Sequence, residues 1–124
     1  MIEVKLGEMF ANIEAIRRVL ATKMPSKAAY RLSKIGTIIE RELRDYENIR
    51  QKRIKELGVE NENGESCVIT DPEKVKMFLT EQQELLDEII KIELDPVPLS
   101  LLGESVEIAP ADLMVFKEII IDNG

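Results

Sequence analysis

Apolar residues return along most of this chain at three- and four-residue steps, and that rhythm predicts helices. Leu6, Met9, Phe10, Ile13, Ile16 and Leu20 form one such stripe, which predicts a first helix over residues 7–23. Ahead of it Ile2 and Val4 alternate with polar neighbours, the two-residue period of a short strand. Pro25 fits the first turn of a second helix, where its missing N–H leaves no bond unmade. Over 25–57 the positions Leu32, Ile35, Ile39, Leu43, Tyr46, Arg50, Ile54 and Leu57 recur with an eleven-residue period, the pattern of a nearly straight rod. At 1.5 Å per residue that rod is about 45–50 Å long, more than a small globule needs. Gly58 is expected to end it in a left-handed cap, with Val59 folded back on the last turn.

The polar stretch 60–65 predicts a turn around Asn63-Gly64, and 66–69 a short extended piece. Thr70-Asp71-Pro72-Glu73 fits a capping box in which Thr70 and Glu73 exchange hydrogen bonds at a helix start. Val75, Phe78, Leu79, Gln82, Leu85, Leu86, Ile89 and Ile90 then mark one face of a third helix, 71–90, lying against the second. Beyond it 91–94 alternates like a strand, and Pro96 and Pro98 break the chain before the apolar run 99–102. Val106 and Ile108 read as another short strand, and Pro110 opens a last helix carrying Leu113, Phe116, Ile119 and Ile120.

The expected whole is one mostly α, α+β domain over 1–124. It comprises an N-terminal strand and helix (1–24), a long antiparallel helical hairpin (25–90), and a strand–turn–helix lid (91–124) with a small β-sheet. The extended piece at the hairpin tip stands roughly 30 Å from the strands at the base. Its partner is therefore either the turn before it or the edge of another subunit.

Length and composition narrow the class. A chain of 124 residues buries enough surface to fold without a disulfide or metal, and its lone Cys67 makes no internal bridge, as expected in a reducing cytoplasm. The opening MIEVKLGEMF lacks the pattern of a signal peptide, and no run approaches the ~20 apolar residues of a membrane span. The net charge of −7 conceals a division. Residues 1–57 hold 13 Lys/Arg against 8 Asp/Glu, a balance of +5, and residues 58–124 hold 4 against 16, a balance of −12. Opposite charges are expected to pair across the packed halves, or else to form a dipolar surface that recruits a partner.

With no histidine and no tryptophan, most material for catalytic or metal sites is missing. Glu81, Glu84, Asp87 and Glu88 crowd one edge of the third helix, and Glu42 and Asp45 form an E-x-x-D pair on the second. Facing pairs of this kind hold Mg²⁺ in the all-α nucleotide pyrophosphatases, which the pattern superficially resembles, although the order of the two motifs is reversed. Cys67 has no base to activate it, and neither Gly58 nor Gly64 starts a phosphate loop. No catalytic, cofactor or metal residue is assigned. Two basic clusters, Arg17 to Lys34 and Arg50 to Lys55, stand in an acidic, aromatic-poor chain, which disfavours nucleic acid as a partner. The candidate interaction surface is Arg41, Arg44, Arg50, Arg53, Ser66 and Val68.

Several segments carry a resemblance across nearly the whole chain: AAYRLSK, the D-Y-E-x-x-R of the second helix, the NENGE turn, E-L-L-x-x-E-I, and the P-x-D-L before the last apolar stripe. Together they resemble small helical-hairpin proteins, of no assigned activity, encoded by bacteriophages and prophages of Gram-positive bacteria. That resemblance implies a viral origin and a place in the cytoplasm of an infected or lysogenic host. The expected function is that of a non-catalytic accessory protein that forms a homo-oligomer and binds a phage or host protein. The alternatives are a divalent-metal nucleotide hydrolase or an accessory component of the virion tail or head.

Overall fold

The computed structural model describes residues 1–60 and 67–122; the expected Asn63-Gly64 turn and Ser66 lie outside them. The fold is α+β and mostly α, dominated by one long helix. Strand β1 (Ile2–Lys5) turns Ile2 and Val4 into the core and leaves Glu3 and Lys5 exposed, as its alternation requires. The expected single first helix is two, α1 (Leu6–Ala11) and α2 (Ile13–Leu20), broken at Asn12. There the Asn12 side-chain amide donates to the Glu8 carbonyl at 2.8 Å, a local bond that competes with helix continuation.

Helix α3 (Ser26–Leu57) follows the predicted rod, with Pro25 as its N-cap rather than inside its first turn. Its buried residues are Ala28, Leu32, Ile35, Gly36, Ile39, Leu43 and Tyr46, and none follows Tyr46. The last eleven residues of the helix therefore project beyond the core. Gly58 ends the helix in extended backbone (φ −91°, ψ 174°), not in the expected left-handed cap. Val59 does not fold back on the last turn: it starts strand β2 (Val59–Glu60), which pairs antiparallel with β3 (Cys67–Val68).

Helix α4 (Pro72–Leu86) returns beside α3. Asp71, not Thr70, is its N-cap, accepting a 3.0 Å bond from the Glu73 N–H. With Pro72 at the first helical position, the capping box is replaced by this single bond. The helix stops at Leu86, so Ile89 and Ile90 leave the predicted helix face and join strand β4 (Ile89–Ile92). The register Ile2↔Ile92 and Val4↔Ile90 shows why: β1 offers a ladder in which alternate isoleucines are buried.

The expected strand at Val106 and Ile108 is absent; both residues are half-buried in irregular backbone. The strand lies earlier instead, at β5 (Val97–Pro98), parallel to β6 (Ile120–Ile121). Between them come a 3₁₀ turn (Leu99–Leu102) and helix α5 (Pro110–Val115). This tail is more than a lid, since Val97, Leu102, Phe116, Ile119 and Ile120 belong to the same buried cluster as β1 and α3.

Candidate functional site

The described part of the expected interaction surface does not form one patch. On an α-helix nine residues correspond to half a turn beyond two full turns, so Arg41 and Arg50 point in opposite directions. Arg41 and Arg44 are exposed, and no acid pairs with either among the described residues. Arg50 and Arg53 are engaged within the chain. Arg50 donates to Glu47 at 3.2 Å. Arg53 grips Glu81 across the hairpin, Nε to Oε2 at 2.7 Å and Nη2 to Oε1 at 2.9 Å, and also donates to Glu56 at 3.1 Å. Hydrogen bonds from Arg53 hold the Glu81 carboxyl below its usual range.

That forked bond bears on the metal alternative. Glu81 is committed to Arg53, and among the described residues no group of three or more His, Cys, Asp or Glu side chains is placed to hold a metal ion. Glu42, Asp45, Glu81 and Glu84 therefore do not converge. The first basic cluster is likewise tied down in part: Arg18 makes a two-pronged bond to Asp112 at 2.9 and 3.0 Å, Arg17 meets Glu40 at 3.4 Å, and Arg31 donates to the Pro96 carbonyl at 3.0 Å.

What sequence reasoning missed is where apolar surface stays uncovered. Val59 and Val68 are directly opposed in the β2–β3 ladder, so their side chains share one face, and they remain 57% and 54% exposed. Ile49, Met77 and Leu79 are exposed on the same projecting arm. Leu79 is expected against α3 and lies 60% open instead, whereas Gln82, nearly three turns along α4 from the tip, is that helix's one buried residue. A polar residue in an inward stripe was the signal available in the sequence.

Cys67 is half-buried within the ladder and unbridged. No described helix is long and apolar enough to cross a membrane. No protein-family model, curated protein or solved structure matches the chain.

Proposed function

We propose that this chain is a non-catalytic protein-binding factor that self-associates through the tip of its arm and presents the arm to a phage or host protein. The carrying observation is the β2–β3 ladder: two strands of two residues, with Val59 and Val68 exposed side by side, at the end of a helix that has outrun its core. A ladder of two such short strands is marginal in water on its own, and here it leans only on the end of α3. Edge addition by a second copy extends the ladder, and packing of the valine face of one copy on that of the other takes Val59 and Val68 out of solvent. The phage setting and host cytoplasm rest on the resemblance of the sequence segments.

Light scattering over a concentration series tests the reading. The wild-type chain is expected to form a discrete dimer, and Val59→Asp and Val68→Asp to be monomers with unchanged helical circular dichroism. A wild type that stays monomeric at every concentration overturns it.

A further inference from the structure

The side of α3 turned away from the core carries a line of exposed residues seven positions apart: Lys27, Lys34, Arg41, Asn48 and Lys55. Lys34, Arg41 and Asn48 each follow a buried residue, Leu32, Ile39 and Tyr46, by two positions. Two positions are about 200° on an α-helix, so the line faces away from the core. At 1.5 Å per residue it runs about 42 Å, nearly the whole rod. None of its cations pairs with an acid among the described residues, in a chain that holds 24 Asp/Glu against 17 Lys/Arg. By contrast Arg50 and Arg53, nearer the buried face, are bonded to Glu47 and Glu81. Asp45, one turn beyond Arg41, is the acid of α3 beside the line. Tyr30 lies next to it, 62% exposed, with the Lys34 ammonium 4.7 Å from its ring centroid. A ring this open adds apolar contact area to a charged face.

We propose that this back of α3 docks an acidic α-helix of a partner protein, one that carries aspartate or glutamate at seven-residue intervals along one face. The proposal rests on the reading of the chain as a protein-binding factor and gives that partner its chemistry. Spacing argues for a helix. A seven-residue line drifts only about 20° per heptad on a straight α-helix, and a second helix crossing at about 20° stays beside it throughout. Acids at the same interval then meet Lys27, Lys34, Arg41 and Lys55 in turn, while Tyr30 packs on the partner's side-chain stems. An extended polyanion fits less well, because the strands of a duplex wind away from a straight rod and the net charge of −7 repels them.

Fluorescence anisotropy of the full chain with synthetic helical peptides of roughly five heptads tests the proposal. One peptide carries glutamate at seven-residue intervals on a single face, and its control has the same composition with the glutamates scattered around the helix. The striped peptide is expected to bind saturably and about tenfold or more tighter than the control. Lys34→Glu with Arg41→Glu is expected to remove that preference with unchanged helical circular dichroism. Equal affinity for the two peptides, no saturable binding, or tighter binding of duplex DNA or of phosphatidylglycerol vesicles than of the striped peptide overturns the proposal. Val59→Asp is expected to leave peptide binding intact, so the back of α3 and the tip fail separately.

Discussion

Gly58 illustrates how a correct residue can be read for the wrong reason. Its dihedral angles suit any L-amino acid, but a Cβ there falls 2.6 Å from the Ile54 carbonyl oxygen and 3.1 Å from the Val68 backbone. Crowding by the carbonyl of α3's own last turn, with the β3 backbone close beside it, and not a left-handed turn, demands glycine. Because the obstructing atoms are backbone, Gly58→Ala is expected to cost about 1–3 kcal/mol in urea unfolding. An unchanged midpoint contradicts that packing. Two carboxylates set the acid limit in a similarly local way. Arg18 holds Asp112 below its usual range chiefly by hydrogen bonding, and Arg53 does the same for Glu81. Since both folded values are lowered, their stabilisation is complete above the ordinary carboxylate range, near pH 4, and is lost as pH falls through the lowered values. Stability is therefore expected to drop between pH 5 and the acid limit, and less so in an Arg18→Ala, Asp112→Ala double variant. Equal drops in both proteins contradict this assignment.

At the scale of elements, what was legible followed from strong periodicity and what was missed followed from partners. The α3 stripe from Leu32 to Tyr46 is buried as its spacing predicts, and Phe10 meets Tyr46 edge to face at 5.0 Å. Ile89 and Ile90 continue a helical stripe in sequence, but the ladder offered by β1 decides their conformation, and no local pattern announces β1 as their partner. The strand at β5 was hidden for the same reason: Val97-Pro98 becomes extended only beside Ile120 and Ile121, far along the chain. The candidate site was legible as an excess of rod over core, whereas the pairing of Arg50 and Arg53 within the chain depends on rotational phase and neighbours. Because the tail fills the core, Phe116→Ala is expected to cost about 3–5 kcal/mol by chemical denaturation. A cost below about 1 kcal/mol would return the tail to the status of a detachable lid.

The whole molecule joins a basic half to an acidic one. Lys5–Asp87, Arg18–Asp112 and Arg53–Glu81 each link a cation from residues 1–57 to an acid from residues 58–124. Lys5–Asp87 is exposed and guides packing more than it stabilises, whereas Asp112 is buried under Arg18 and Arg53–Glu81 is half-buried between the helices. The molecule is lopsided in another sense: its core ends near Tyr46, and beyond it the arm carries Ile49, Val59, Val68, Met77 and Leu79 in solvent. The central claim is that this arm meets protein at its tip. Photo-crosslinking tests it most directly, with benzoylphenylalanine placed at position 68 and, as a control, at the still more open Met114. The account predicts a defined crosslink from position 68 to a second copy of the chain, abolished by Val59→Asp, and none from position 114. Crosslinks from position 114 alone, or from neither position, contradict it.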